Sequence, residues 1–196
     1  VLLEHPPVIT HGRRGRDTDI LLQSELLEKQ GVQVHEIERG GETTYHGPGQ
    51  IVGYMFISLQ NHKNNVKNFV HNIEQVFINL LDQEYSIEAG RDPDYIGVWV
   101  GKKKITAIGI AIKRKITMHG FAFNVNTNLD HFGWIIPCGI TDKGVTSLQE
   151  LVGRRLDQKN VEKQVLRHFC SVFGYQEESV VPSHIEQYIS DSKEEV

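Results

Sequence analysis

One cysteine stands among residues that are typical of a turn. Cys138 lies in the hexapeptide Ile-Ile-Pro-Cys-Gly-Ile, residues 135–140. Pro137 has a fixed φ and no N–H, and Gly139 tolerates unusual backbone angles, so the thiol is predicted to stand on a turn after an apolar run. There it can act as a nucleophile. The hexapeptide alone is equally compatible with a buried, inert cysteine.

Three consecutive lysines supply candidates for tuning that thiol. A cation close to Cys138 would favour the thiolate, and the same amine could relay protons. Lys102 and Lys103 stand in a predicted turn, and Lys104 begins the apolar strand that follows. The alternation of side chains along the strand does not indicate which of the three lysines lies close to Cys138.

Residues 39–50 form the second unusual segment, with four glycines, a proline, an arginine and a histidine. Such glycine density predicts a loop or a sheet edge whose backbone can approach a ligand and whose N–H groups can hold a carbonyl or a developing oxyanion. The segment lacks the lysine and hydroxyl residue of a P-loop and the spacing of a dinucleotide fingerprint, so nucleotide binding is not predicted. An ordinary glycine-rich turn is the alternative interpretation.

A mainly antiparallel sheet is predicted from three consecutive strands, residues 95–100, 104–112 and 116–126, which short basic turns connect. Two adjacent strand faces carry small residues. These faces could form the floor of a slot for a linear apolar ligand, although tight packing would explain them equally well. The small residues are Ala107, Gly109 and Ala111 on the second strand, and Gly120 and Ala122, beside Met118, Asn124 and Asn126, on the third.

Helical patterns surround this sheet. Asp19 is predicted to cap a first helix, which Gly31 would end. Apolar residues recur at helical spacing over residues 66–81, and Asp157 is predicted to cap a final helix. These helices are interpreted as scaffold.

Composition indicates one globular domain. The chain has 196 residues, of which 39% are hydrophobic, and a formal net charge of −4. Residues 1–182 are predicted to form a single domain, and residues 183–196 are predicted to be a mobile tail. The charge gives no reason to expect nucleic-acid binding, no apolar run is long enough to predict a membrane span, and no spacing is typical of a metal site.

The two cysteines also indicate a compartment. Because Cys138 and Cys170 are the only cysteines, a disulfide scaffold is not expected. The protein is instead expected in a reducing environment. The predicted location is the cytoplasm, or an organelle matrix if a targeting peptide precedes Val1.

Six segments together resemble the lipoyl(octanoyl) transferase family across most of the chain. Their order and combination are far more specific than any one of them. The segments are Leu3-Glu4-His5-Pro6-Pro7-Val8, residues 39–50, Gly97-Val98-Trp99-Val100, Lys104-Ile105-Thr106-Ala107-Ile108-Gly109, residues 119–125 and Ile136-Pro137-Cys138-Gly139-Ile140. The resemblance implies the α/β (α+β) fold of the biotin and lipoate protein ligases, a mainly antiparallel or mixed sheet flanked by helices.

The resemblance also implies the reaction and its residues. An octanoyl group would pass from octanoyl-acyl carrier protein, through a thioester on Cys138, to a lysine on lipoyl domains of 2-oxoacid dehydrogenases or on the glycine-cleavage H protein. Lys104 would tune the cysteine, residues 1–182 would be one acyltransferase catalytic domain, and no cofactor is implied. The implied substrate-binding residues are Arg39, Gly40, Gly41, Glu42, Thr43, Thr44, Tyr45, His46, Ala107, Ile108, Gly109, Gly120, Phe121 and Ala122.

Within this hypothesis, backbone N–H groups near Cys138 and in the loop from Gly40 to Gly49 steady the oxyanion, and Lys104 removes a proton from the incoming lysine. His46 would orient the loop or relay a proton. Three alternatives remain: an ATP-dependent lipoate or biotin ligase, a cysteine thioesterase, and a non-enzymatic adaptor for acyl carrier protein or lipoyl domains.

Overall fold

The computed structural model describes residues 1–62, 65–136 and 143–176. Cys138 and the predicted tail over residues 183–196 lie outside these ranges.

Ten strands and four α-helices occur in the described residues. The strands are β1 (Leu2–Leu3), β2 (Val8–His11), β3 (Gln33–Glu36), β4 (Thr43–His46), β5 (Gln50–Tyr54), β6 (Gly90–Arg91), β7 (Val98–Val100), β8 (Lys103–Lys113), β9 (Ile116–Asn124) and β10 (Gly144–Val145). The helices are α1 (Ser24–Lys29), α2 (Val66–Tyr85), α3 (Leu148–Val152) and α4 (Gln158–Phe173), and short 3₁₀ turns cover Asp17–Asp19, Leu59–His62 and Leu129–Trp134.

Seven of these strands form the main sheet, in the order β1-β5-β9-β8-β7-β6, and β10 pairs with β8. Every neighbouring pair along that order is antiparallel, whereas β10 runs parallel to β8. Helices α2 and α4 pack on each other and on this sheet. The predicted α/β architecture with a mainly antiparallel or mixed sheet flanked by helices is therefore confirmed.

The main core lies between the sheet and helix α2. Asn65 begins this helix by accepting a hydrogen bond from the N–H of Asn68, which satisfies one of the donors that a helix start leaves open. The ring of Phe77 lies 4.7 Å from that of Phe121 and 5.0 Å from that of Phe123, measured between centroids. Each such buried side chain stabilises the fold by about 1.5–3 kcal/mol relative to an exposed one.

A smaller sheet, in the order β3-β2-β4, carries a second apolar cluster. Tyr45 on β4 is 1% exposed and packs edge-on against Phe132 and Trp134. Its hydroxyl lies 2.7 Å from Nδ1 of His131. The cluster fixes the segment Leu129–Trp134, which leads towards the residues around Cys138 in sequence.

The prediction that Asp19 caps the first helix is wrong. Helix α1 begins at Ser24, and Asp19 ends a short 3₁₀ turn instead. Its carboxylate accepts hydrogen bonds from the N–H of Arg16 and from the hydroxyl of Thr43, at 2.9 and 2.7 Å. The carboxylate thus attaches this turn to β4. Local capping patterns cannot predict such an interaction, because it joins segments that are distant in sequence.

Candidate active site

A β-bulge in β8 determines which lysine faces the site. Trp99 pairs with Lys104 and Val98 pairs with Thr106, so three residues of β8 oppose two of β7. Residues three positions apart on a regular strand point to opposite faces, but the bulge removes that alternation here. Lys104 and Ala107 consequently line the same cavities, while Ile105 between them is buried in the main core.

The side chain of Lys104 passes between Gly97 and Trp99. Its Nζ lies 4.8 Å from the Trp99 ring centroid, and its Cδ and Cε lie 3.4 Å from the point where a Cβ on Gly97 would stand. Lys103, by contrast, donates a hydrogen bond from Nζ to Glu150 at 2.9 Å on the surface, and Lys102 is exposed. Of the three lysines, Lys104 is the one that lines the cavities.

Gly97 is expected to tolerate no side chain. Its φ is +130°, and a Cβ would lie 2.5 Å from the carbonyl oxygen of Thr106. We expect Gly97→Ala to lower the free energy of unfolding by about 1–3 kcal/mol through overpacking and backbone strain, and to displace Lys104. Chemical denaturation measures the first effect, with Gly101→Ala as the control, because Gly101 also has a positive φ but open space around it. Equal losses in the two variants would contradict the predicted clash.

The floor of the site is the small-residue face of β8 and β9. Ala107 pairs with Ala122, and both line a cavity of about 260 Å³. Lys104 and Trp99 also line this cavity. Thr44, Gln50, Asn124 and Phe132 complete much of its wall. Two alanines side by side leave room that larger side chains would fill, so this face has space for an apolar chain.

The two glycines on the same face allow close packing of the backbone. Gly109 pairs with Gly120, and a Cβ on Gly109 would lie 2.8 Å from the carbonyl oxygen of Gly40. The N–H of Gly40 donates to the carbonyl of Ile110 at 3.1 Å. The glycine-rich loop therefore packs directly on β8 at this point, which is the tight-packing interpretation of these small residues.

A larger cavity of about 550 Å³ adjoins the first and shares with it Thr44, Lys104, Ala107 and Ala122. Twelve of the predicted substrate-binding residues line one or both cavities. They are Arg39, Gly40, Gly41, Glu42, Thr44, His46, Ala107, Ile108, Gly109, Gly120, Phe121 and Ala122.

The other two predicted residues, Thr43 and Tyr45, line neither cavity. Residues 43–46 form strand β4, where side chains alternate between faces. Thr44 and His46 point to the cavities, and Thr43 and Tyr45 point to the second apolar cluster and its neighbours. The segment predicted as a loop or edge is an edge strand with an unexpectedly buried second face.

Arg39 fastens the glycine-rich loop to β2. Its guanidinium donates four hydrogen bonds, three to the side chain and carbonyl of Thr10 and one to the carbonyl of Gly40, at 2.6–3.2 Å.

Two loop amides that were candidates for holding an oxyanion form hydrogen bonds within the protein instead. The N–H of Gly40 donates to Ile110, and that of Gly49 donates to the carboxylate of Glu4 at 2.6 Å, so these two donors are not directed at a substrate.

A second lysine near the site was not predicted. Lys143 lines the smaller cavity, forms an ion pair with Asp92, and places its Nζ 4.7 Å from the Tyr95 ring and 5.1 Å from the Trp99 ring. The hydrogen bond from Lys143 holds the pKa of Asp92 below its ordinary value. Gly133 also lines this cavity, so lining residues occur on both sides of the sequence that contains Cys138.

Within the described ranges, no group of three histidine, cysteine, aspartate or glutamate side chains is arranged to bind a metal ion. No helix in the same ranges has the length and apolar character needed to cross a membrane.

Relatives of known family share both sequence and fold with this chain. Residues 1–170 match the family model described as the lipoyl protein ligase A/B catalytic domain. An octanoyltransferase of Caldicellulosiruptor saccharolyticus is 55% identical over 190 residues, which cover 96% of this chain and 81% of that protein. An octanoyltransferase of Desulforamulus reducens is 52% identical over 180 residues, which cover 92% and 79% of the two chains.

Solved structures agree at the level of the fold. Lipoate-protein ligase A bound with ATP superposes with a TM-score of 0.70 at 15% identity, covering 92% of this chain and 75% of that one. The P. falciparum protein LipL1 in complex with lipoate gives 0.69 at 16% identity, with 92% of this chain and 51% of that one. Biotin protein ligase from Aquifex aeolicus gives 0.57 at 18% identity, with 85% and 70%. The chain therefore belongs to the lipoyl protein ligase A/B catalytic domain family, among relatives that are octanoyltransferases.

Proposed function

We propose that this protein transfers an octanoyl group from octanoyl-acyl carrier protein to a lysine of a lipoyl domain, through a thioester on Cys138. The observation that carries the proposal is the cavity lined by Lys104, Ala107 and Ala122, whose walls include residues on both sides of the cysteine segment. The reaction needs an amine, an apolar floor and a thiol; the cavity has the first two, and the sequence between its lining residues Gly133 and Lys143 contains Cys138.

Lys104 would first raise the fraction of reactive thiolate. A thiol with an unperturbed pKa of about 8.5 is only a few per cent ionised at neutral pH, and lowering that pKa by about one unit increases the thiolate about tenfold. The ammonium group of Lys104 favours the anion by direct attraction. The resting enzyme in this proposal holds a thiolate beside an ammonium group.

The first half-reaction forms the acyl-enzyme. The sulfur of Cys138 attacks the octanoyl carbonyl carbon, a carbon–sulfur bond forms, and the bond to the carrier sulfur breaks. Lys104 donates its proton to the departing carrier thiolate and is left as a neutral amine. One thioester replaces another, so no ATP is consumed.

The second half-reaction forms the product amide. The neutral amine of the acceptor lysine attacks the acyl-enzyme carbonyl, a carbon–nitrogen bond forms, and the bond to Cys138 breaks. Lys104 takes up the proton that the acceptor nitrogen loses. The thiolate and the ammonium group are thereby restored, and the overall products are an octanoyl-lysine and the free thiol of the carrier.

The small-residue floor supplies the proposed acyl site. Burying an octanoyl tail contributes about 0.8 kcal/mol per methylene, up to roughly 5 kcal/mol. Acceptors in this proposal are lipoyl domains of 2-oxoacid dehydrogenases and the glycine-cleavage H protein, and residues 1–182 are one catalytic domain. The corresponding location is the cytoplasm or an organelle matrix, where those partners occur.

Intact-mass measurement tests the proposal directly. The protein is incubated with octanoyl-acyl carrier protein without ATP, and a lipoyl domain is then added. We expect an octanoyl mass increment that Cys138→Ala abolishes and that the acceptor lysine discharges. Cys170→Ala is the matched control and is expected to retain the increment, since Cys170 lies in helix α4 and lines neither cavity.

The alternatives predict different masses. Discharge of the adduct to water alone would indicate a thioesterase. Unaltered binding of both proteins without any adduct would indicate an adaptor. Transfer that requires free octanoate and ATP would indicate a ligase.

A further inference from the structure

A chain of buried amide groups connects His46 to the protein backbone. Nδ1 of His46 lies 2.8 Å from Oε1 of Gln50. Nε2 of Gln50 lies 2.9 Å from Oδ1 of Asn124 and 3.3 Å from the carbonyl oxygen of Tyr45. Nδ2 of Asn124 lies 3.0 Å from the carbonyl oxygen of Thr146. Gln50 and Asn124 are 2% and 5% exposed.

The two carbonyl groups fix the direction of every hydrogen bond in this chain. A backbone carbonyl can only accept, so the atom of Asn124 that faces Thr146 must be its NH₂ group. The oxygen of Asn124 therefore faces Gln50, which must present its own NH₂ group there and to the carbonyl of Tyr45. Oε1 of Gln50 is then left facing His46. Since that oxygen can only accept, the proton of neutral His46 lies on Nδ1.

The other ring nitrogen is consequently an acceptor. His46 lines the larger cavity, and among the described residues no protein group forms a hydrogen bond with its Nε2. The lone pair on Nε2 of His46 is therefore available to a molecule in the cavity.

Burial, with a smaller contribution from neighbouring charges, keeps the His46 imidazole neutral. Burial, followed by the positive field of Arg39 and of His5 and partly offset by the hydrogen bond to Gln50, lowers the pKa of His46 to about 4. The His5 ring centroid lies 5.9 Å from that of His46, and Nε2 of His5 lies 2.9 Å from the hydroxyl of Tyr54. An imidazole loses its positive charge above its pKa, so His46 is neutral at neutral pH.

We propose that Gln50 and Asn124 are positioning residues, which hold His46 in the tautomer protonated at Nδ1 so that Nε2 accepts a hydrogen bond from an uncharged N–H of a substrate. This inference rests on the proposed acyl transfer, because it assigns a donor within that reaction. Two sources of the N–H fit the chemistry: an amide of the acyl donor's arm in the first half-reaction, and the amine of the acceptor lysine in the second.

The tautomer itself is tested without any substrate. Nitrogen-15 NMR of the histidine rings distinguishes a protonated from an unprotonated ring nitrogen. At neutral pH we expect His46 to carry its proton on Nδ1 in the wild-type protein, and to lose this preference in Gln50→Met. A wild-type His46 protonated at Nε2, or charged at neutral pH, would overturn the inference whatever the activity of the enzyme. Failure of the proposed function would leave this readout unchanged.

Kinetics then test whether Gln50 acts through His46. We expect Gln50→Met and His46→Ala each to slow one half-reaction by about tenfold to a hundredfold, the range for loss of one hydrogen bond to a reacting group. Because both changes remove the same hydrogen bond, Gln50→Met should cause no further loss in the His46→Ala background. Equal losses in the two backgrounds would mean that Gln50 has only a structural role and would overturn the proposal.

The matched control is Gln75→Met. Gln75 donates a similar hydrogen bond to Asn79, at 2.6 Å on helix α2, but it lines neither cavity, and we expect wild-type rates. The two half-reactions are followed separately by mass. A loss confined to formation of the acyl-enzyme assigns the N–H to the acyl donor, a loss confined to its discharge assigns it to the acceptor lysine, and no loss in either half-reaction overturns the proposal.

Discussion

Lys104→Met is expected to slow octanoyl transfer by about 10²- to 10⁴-fold, the range for removal of a proton-transfer group. Methionine approximates the length of the lysine side chain and retains its packing against Trp99, but it offers neither charge nor proton. Because Lys104 acts in both half-reactions of the proposed mechanism, both the formation of the acyl-enzyme and its discharge should slow. Single-turnover mass measurement follows the two steps separately.

Lys103→Met is the matched control for this prediction. Lys103 precedes Lys104 directly, but its Nζ pairs with Glu150, with both side chains about half exposed. Exposed ion pairs contribute about 0–1 kcal/mol to stability, so we expect little change in fold or rate. Equal effects of the two substitutions would contradict the assignment of Lys104, and would indicate that general positive charge at this turn is what matters.

The choice between these lysines illustrates what the sequence could not supply. The start of β8 at Lys103 is close to the predicted start at Lys104, so local patterning located the strand well. The bulge between Lys104 and Thr106 depends on how β8 pairs with β7, and pairing register is not contained in one strand's own sequence. Only the resemblance to known transferases distinguished Lys104 before the fold was known.

In the substrate-binding segments, too, local patterning predicted some features and missed others. Period-two alternation in β8 and β9 correctly placed Ala107 and Ala122 on one face. The same alternation placed Asn124 beside them, and this was a usable signal for the polar wall of the cavity. For residues 43–46 the resemblance predicted that all four bind substrate. These residues form strand β4, in which successive side chains point to opposite faces. A strand was not predicted there, because the flanking glycines and proline indicate a loop.

Contacts between distant segments account for what the sequence missed. The smaller sheet brings together β2, β3 and β4, and the strand β10 pairs with β8 across about forty residues of sequence. Lys143 reaches Trp99 and Asp92 through that pairing. Nothing in the segment around Lys143 indicates an aromatic partner.

Ala107→Phe is expected to change the length of acyl chain that the enzyme accepts. Ala107 is partly exposed and lines both cavities, so a phenyl ring there can occupy the slot without entering the main core. If the ring displaces four methylenes of the octanoyl tail, the lost binding is about 3 kcal/mol, or roughly a 200-fold lower kcat/KM for octanoyl donors. Butanoyl donors, which do not reach the displaced volume, should be affected much less.

The ratio of octanoyl to butanoyl kcat/KM is the quantity to measure, since any general loss of stability or of folded enzyme cancels from it. Ile112→Phe provides the control, because Ile112 lies further along β8, is exposed and lines neither cavity. An equal decrease for both donors in Ala107→Phe would place the acyl tail elsewhere than on the small-residue floor. A selective decrease for octanoyl donors would instead mean that the same floor both binds the tail and measures its length, because each methylene buried there contributes separately to transition-state binding.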